Sequence, residues 1–135
     1  MANIKEDYVS YETAKLMKNS GFDCDEISCI NVFKGHTYKV QGTVIDVDED
    51  VTIPTIQMAM KWLREVYNII IEVSPLSFSF KSSESFICDN WVFNLWENGN
   101  PIVSEFYGNQ TAYPTYEEAC ESAIKCGLEN LIENV

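Results

Sequence analysis

The sequence predicts an α+β fold in which three helices pack on one face of a mainly antiparallel sheet. Three helix starts carry Ser or Thr at the capping position, and runs of β-branched and aromatic residues lie between them. The pair Asn98-Gly99, between two such runs, is typical of a tight hairpin turn. A length of 135 residues with 46% hydrophobic residues suits one core. We therefore treat residues 1–135 as a single domain.

The helices are predicted from their capping residues and from apolar residues at helical spacing. The three segments are about 10–20, about 55–67 and about 116–132. Gly21 and Asn68 follow the first two segments and can end them in a left-handed conformation. Gly127 lies inside the third segment and costs about 1 kcal/mol relative to alanine. It therefore predicts either a break in the helix or a close packing contact.

The strands are predicted from alternating and β-branched runs bounded by turn residues. The predicted elements are a hairpin of 27–33 and 36–40, a strand 69–73 ended by Ser74-Pro75, and a hairpin of 91–96 and 102–107. The acidic stretch 41–52 and the serine-rich stretch 74–85 are predicted to be loops. The sequence assigns no role to the loop 41–52.

The net charge of −12 restricts the classes of partner. Residues 82–135 hold nine acidic residues and one basic residue. Such a charge repels phosphate backbones and anionic membranes, so we expect neither nucleic acid nor membrane binding. The order helix–strand–strand–strand–helix is similar to that of a double-stranded RNA-binding domain, but Glu117 and Glu118 stand where that domain needs lysines. A basic protein partner is favoured.

The five cysteines and the N-terminal residues indicate a cytoplasmic protein with reduced thiols. The number of cysteines is odd, and the N-terminus shows no signal-peptide pattern. No stretch reaches the roughly 20 apolar residues of a membrane span.

Motifs for chemistry are weak, and we assign no catalytic residue, cofactor or metal ligand. Asp46 opens a calcium-loop pattern, but Val51 replaces the required glycine and Gln57 replaces the bidentate glutamate. His36 is the single histidine. A nucleophilic pair of His36 with Cys24, Cys29 or Cys88 stays open as an alternative.

Several segments resemble a group of small, uncharacterised proteins of Bacteroides-type bacteria, their phages and mobile elements. They are VSYETAKL (9–16), GFD (21–23), IPTIQMAMKWLRE (53–65), YNI (67–69) and TYEEA (115–119). The resemblance implies a bacterial or phage cytoplasm and brings no activity and no site residues with it.

The first functional hypothesis is a non-enzymatic accessory or interaction protein, compatible with a prophage origin, whose acidic C-terminal half meets a protein partner. The second is an acidic mimic of DNA that inhibits a host defence or DNA-handling protein. The third is a small enzyme that uses His36 or a cysteine. A homodimer through a sheet edge or Trp96 is left open. The predicted partner surface consists of Trp96, Glu97, Glu105, Glu117, Glu118 and Glu121.

Overall fold

A computed structural model describes residues 5–24, 28–82, 85–104 and 112–133 and confirms the α+β class. Within these residues the helices are α1 (Tyr11–Asn19), α2 (Ile56–Tyr67) and α3 (Tyr116–Glu133). The strands are β1 (Ile30–Val32), β2 (Thr37–Val40), β3 (Thr43–Asp46), β4 (Val51–Ile53), β5 (Ile69–Ser82), β6 (Ser85–Glu97) and β7 (Asn100–Ser104). None of the described helices is both long and apolar enough to cross a bilayer.

The helix starts confirm the predicted capping chemistry. The hydroxyls of Ser10, Thr55 and Thr115 accept hydrogen bonds from the backbone N–H three residues later, at 3.1, 3.2 and 3.1 Å. Each bond satisfies one of the N–H groups that a helix leaves unpaired in its first turn. The predicted helix boundaries therefore agree with the structure to within one or two residues.

Two asparagines in the left-handed conformation join α2 to the β6–β7 turn. Asn68, with φ of 54°, ends α2 one residue before β5 begins, and Asn98, with φ of 51°, opens the predicted Asn98-Gly99 turn. The Asn68 side-chain amide donates to Asn98 Oδ1 at 3.0 Å, and the Asn98 N–H donates to the Asn68 carbonyl at 3.2 Å. Asparagine is among the residues that tolerate this backbone region best.

The strands before α2 pair differently from the predicted hairpin of 27–33 and 36–40, which is wrong. β1 pairs with β4, and β2 pairs with β3 around a turn at Gln41-Gly42. Both turn residues have positive φ, 50° and 81°, which matches the twist of a two-residue hairpin. The predicted loop 41–52 therefore contains β3 and the start of β4. The predicted turn at Lys34-Gly35 does form, with the His36 N–H donating to the Phe33 carbonyl at 3.3 Å, but the strands on its two sides do not pair with each other. Val32 of β1 is buried in the core.

The predicted end of a strand at Ser74-Pro75 is also wrong, as is the loop predicted for 74–85. β5 continues through Pro75 to Ser82, and β6 pairs with it from Ser85 onward. β5 is an edge strand, and Pro75 pairs with Trp91, whose own N–H and carbonyl are bonded to Tyr113. The proline nitrogen therefore needs no partner on β6, which explains why the strand tolerates it. The predicted return strand 102–107 is described as far as Ser104.

One buried core extends from α1, β1 and β4 to the region where α2 and α3 meet β5 and β6. Leu63, Ile69, Leu95 and Leu128 are fully buried there. α3 is continuous through Gly127, so this glycine marks a close contact and not a break. A Cβ at position 127 would lie 3.6 Å from Ile69 Cγ2 and 3.9 Å from Leu63 Cδ1, which is ordinary contact.

We predict that Gly127→Ala stabilises the protein. The methyl group fits without displacing its neighbours, and alanine removes about 1 kcal/mol of helix penalty. Thermal unfolding followed by circular dichroism should show a melting temperature raised by about 4 °C. The matched control is Gly99→Ala, at φ of 82°, which should lower the melting temperature. A lowered melting temperature for Gly127→Ala would show that the α3 contact cannot accept a methyl group.

Candidate functional site

An acidic groove of about 860 Å³ lies between the starts of α1 and α3 and the β2–β3 hairpin. We call it the acidic groove, and its volume falls within the range of small-molecule and peptide sites. The described lining holds seven acidic side chains and one basic side chain, Lys15. The acidic residues are Asp7, Glu12, Asp46, Asp48, Glu117, Glu118 and Glu121. The groove therefore favours positively charged groups.

The α3 side of the groove is fixed by the carboxylate of Glu121. Its Oε1 accepts hydrogen bonds from the Thr13 hydroxyl at 2.6 Å and from the Ser10 N–H at 3.1 Å. The second oxygen, Oε2, is shielded from solvent and accepts no hydrogen bond from any described group. A shielded carboxylate oxygen without a hydrogen-bond donor costs free energy, so this oxygen is the least satisfied polar atom described in the groove.

The α1 side of the groove is built around the hydroxyl of Tyr11. This hydroxyl donates to Asp48 Oδ1 and accepts from the backbone N–H of Asp48 at 3.0 Å and of Glu49 at 3.4 Å. The ammonium of Lys15 lies 4.6 Å from the centre of the Tyr11 ring, 3.6 Å from Asp48 Oδ1 and 3.5 Å from Glu12 Oε2. These contacts anchor the acidic loop between β3 and β4 to α1.

The same contacts shift three pKa values. The hydrogen bond from Tyr11, helped by the charge of Lys15, lowers the pKa of Asp48. Burial and the hydrogen bond to Asp48 raise the pKa of Tyr11. Burial opposes ionisation of Lys15, but attraction to Glu12 and Asp48 outweighs it and raises the pKa of Lys15. Asp48 and Lys15 therefore stay charged as a pair, and Lys15 is already engaged within the protein.

The hairpin side of the groove adds apolar surface to the acidic lining. Val40, Val44 and Ile45 line it, and Val44 is 66% exposed. The side-chain oxygen of Gln41 accepts a hydrogen bond from the Tyr8 N–H, so the hairpin turn is tied to the segment before α1. The groove thus combines negative charge with exposed apolar side chains.

The structure divides the predicted partner surface. Glu117, Glu118 and Glu121 lie at the start of α3 and line the acidic groove. Glu97 lies at the end of β6, where its Oε2 accepts from the amide of Asn130 at 3.2 Å. Asn130 lies 13 positions after Glu117 on α3, a rise of about 20 Å. Glu97 is therefore remote from the groove.

The two tryptophans of β6 occupy opposite faces, as strand alternation requires. Trp91 packs edge-on against Tyr116 of α3, with ring centres 5.3 Å apart. Trp96 stands on the other face of the strand in register with Ile70, and it is partly exposed. Glu105 lies outside the described residues.

The residues considered for catalysis do not converge on the acidic groove. His36 is exposed, its ring lies 6.4 Å from that of Tyr38, and it is not among the described groove residues. Cys24 and Cys29 lie side by side and contact Met58, not His36. Across the described part of the chain, no three His, Cys, Asp or Glu side chains are grouped as a metal site.

Sequence reasoning missed most of the groove. Tyr11 and Lys15 lie on α1, whereas Asp48 lies more than 30 residues later in the chain. No sequence motif links them. One local signal was present for the hairpin, since Gly42 is followed by the β-branched run Thr43, Val44 and Ile45. No family model, curated protein or solved structure matches the chain.

We predict that Tyr11→Phe destabilises the protein in a pH-dependent way. Loss of the hydroxyl removes a hydrogen bond of a buried tyrosine, a loss of about 1 kcal/mol at neutral pH. Folding lowers the pKa of Asp48. The bond between Tyr11 and Asp48 therefore stabilises the folded state at pH values above the pKa that Asp48 has in the unfolded chain. That contribution is lost as the pH falls through the folded value. The difference from wild type should therefore shrink below about pH 4 in denaturant unfolding.

The matched control is Tyr38→Phe. The Tyr38 hydroxyl accepts from the Phe33 N–H at 3.0 Å, with no carboxylate partner among the described hydrogen bonds. Its loss should cost the same free energy of unfolding at pH 7 and at pH 3.5. A Tyr11→Phe deficit that does not change with pH would show that the bond to Asp48 contributes nothing.

Proposed function

We propose that this protein is a non-enzymatic interaction protein that binds a basic segment of a partner protein in the acidic groove. The observation that carries the proposal is the shielded Oε2 of Glu121, which lacks a described donor in a groove of negative charge. A lysine or arginine of the partner would supply that donor after the side chains that shield this oxygen move aside. A charge-assisted hydrogen bond of this kind is stronger than a neutral one.

The composition of the groove defines the partner segment further. The exposed Val44 and the neighbouring Tyr8 and Val40 provide apolar contacts beside the carboxylates. A segment that alternates basic and apolar side chains would match both surfaces at once. Arginine suits this role better than lysine, because its planar fork can bond two carboxylates and stack on a tyrosine ring.

Inhibition by DNA mimicry is the weaker candidate. A mimic needs carboxylates in a row along one exposed face. Glu97, on β6, bonds to Asn130, which is about 20 Å along α3 from Glu117. Glu117, Glu118 and Glu121 line a concave surface. A groove of this shape suits an inserted side chain better than a flat DNA-binding face.

We also propose that the protein is cytoplasmic and comes from a bacterium or a phage. We further propose that the three helices pack on one face of a mainly antiparallel sheet, although the main contacts of α1 are with β4 and α3. Contacts of α2 and α3 with β5, and of α3 with β6, support it.

The test is a titration of the protein with a synthetic peptide of alternating arginine and leucine, followed by calorimetry. A peptide of alternating glutamate and leucine is the charge-reversed probe. We expect binding of the basic peptide only, with affinity that falls as salt is added. Glu121→Gln should weaken binding about tenfold or more, because it removes a shielded charge from the contact.

The matched control is Glu129→Gln, at an exposed position in the C-terminal half of the same helix. It changes the net charge equally and should leave the affinity unchanged. Melting temperatures of both variants separate loss of binding from loss of folding. Equal weakening by both variants would indicate general charge attraction and would contradict the groove as the site.

We also predict that His36→Ala leaves peptide binding and any cellular phenotype intact. His36 is exposed and is not among the described groove residues. Loss of the phenotype in a variant with an unchanged melting temperature would instead favour the small-enzyme hypothesis.

A further inference from the structure

Two cysteines outside the acidic groove are held in contact by the elements around them. The Sγ atoms of Cys24 and Cys29 lie 2.8 Å apart, and each lies 3.5 Å from Met58 Sδ on the first turn of α2. Two unbonded sulfur atoms do not normally approach so closely, whereas bonded ones lie about 2.05 Å apart. The two thiols therefore need to move by less than 1 Å to form a bond.

The fold explains why these side chains meet. Phe22, after the end of α1, packs edge-on against Trp62 of α2 with ring centres 5.4 Å apart, which directs Cys24 towards that helix. Cys29 precedes β1, whose partner β4 leads into α2 through Pro54. Both cysteines thus contact Met58 on the first turn of α2. The arrangement is fixed by core contacts and not by chain proximity alone.

We propose that Cys24 and Cys29 form a reversible disulfide, and that this pair is a redox modification site of the protein. The structure holds both as thiols, which is the reduced state. The oxidant is a small-molecule disulfide such as oxidised glutathione. Cys24 is the attacking thiol because it is partly exposed, whereas Cys29 is only 8% exposed.

The exchange proceeds in two balanced steps. The Cys24 thiolate attacks one sulfur of the small disulfide, forms a mixed disulfide and expels one small thiolate. The Cys29 thiolate then attacks the Cys24 sulfur, forms the internal bond and expels the second small thiolate. The two protons of the protein thiols end on the two small thiols, so two electrons pass from the protein to the oxidant.

The remaining cysteines have environments that do not support the same reaction. Cys120 is fully buried in α3, and burial raises the pKa of its thiol to about 11, so little reactive thiolate is present. Cys126 lies six residues further along the same helix, which turns the two side chains well apart. Cys88 donates to the Asn90 carbonyl at 3.1 Å on β6.

The chain offers a direct assay for the bond. No lysine or arginine lies between Lys18 and Lys34, so trypsin releases residues 19–34 as one peptide that holds both cysteines and none of the other three. The full protein is incubated with glutathione buffers of increasing oxidised fraction, quenched with acid, alkylated in denaturant so that buried thiols react, and digested. We expect this peptide to lose two hydrogens and to take no alkyl group once the buffer is oxidising. The other cysteines should remain alkylated.

Variants separate an internal disulfide from simple thiol reactivity. Cys29→Ser should accumulate a mixed disulfide with glutathione at Cys24, because the resolving thiol is absent. Cys88→Ser should form the internal bond like wild type. Oxidised wild type should melt about 5 °C higher than reduced wild type, and Cys29→Ser should show no such rise.

Two outcomes would overturn the proposal. One is alkylation of both cysteines in 19–34 at every buffer composition in the folded protein. The other is an internal bond between a different pair of cysteines. Neither outcome depends on peptide binding in the acidic groove, so this site and the proposed function stand or fall separately.

Discussion

The bond between Glu121 of α3 and the start of α1 is the interaction on which the arrangement of the site depends. Thr13 is completely buried, and its hydroxyl lies 2.6 Å from the carboxylate, a distance typical of a charge-assisted hydrogen bond. Glu121 also accepts from the Ser10 N–H, so it places negative charge at a helix N-terminus. One carboxylate therefore fixes two helices, while its second oxygen is shielded from solvent and accepts no hydrogen bond from a described group.

The other side of the groove depends on this joint. With α1 in place, the hydroxyl of Tyr11 bonds the acidic loop through Asp48, and Gln41 bonds the segment before α1. The high negative charge of the chain is thus concentrated by tertiary contacts. Repulsion among these carboxylates is offset in part by Lys15 and by backbone N–H groups. Lys15 is the single basic side chain among the described lining residues, so most of this negative charge is not neutralised within the groove.

Local interactions could be predicted from the sequence, and nonlocal pairing could not. Ser10, Thr55 and Thr115 cap helices through bonds that span three residues, so the sequence contains all of the necessary information. The turn at Asn98-Gly99 is local in the same sense. Pairing of β1 with β4, in contrast, depends on burial of Val32 beside residues some 20 positions away.

The candidate site shows the same division. The charge of Glu117, Glu118 and Glu121 predicted an acidic surface, and the structure places these three together. The shielding of Glu121 Oε2 depends on packing of α1, which no residue pattern in α3 reveals.

Pro75 misled the prediction for a related reason. Whether a strand tolerates proline depends on its place at the edge of a sheet, which is a property of the assembled fold.

The single-residue joint at Asn68 restricts how this chain can vary in length. α2 ends at Tyr67 and β5 begins at Ile69, so a single residue connects this helix to this strand. Both elements pack against the same core. One extra residue here would turn every side chain of β5 to the opposite side, carrying Ile69 out of the core and Ile70 into it. An insertion or deletion at this point should therefore destabilise the protein, because the length of the joint sets which side of β5 faces the core.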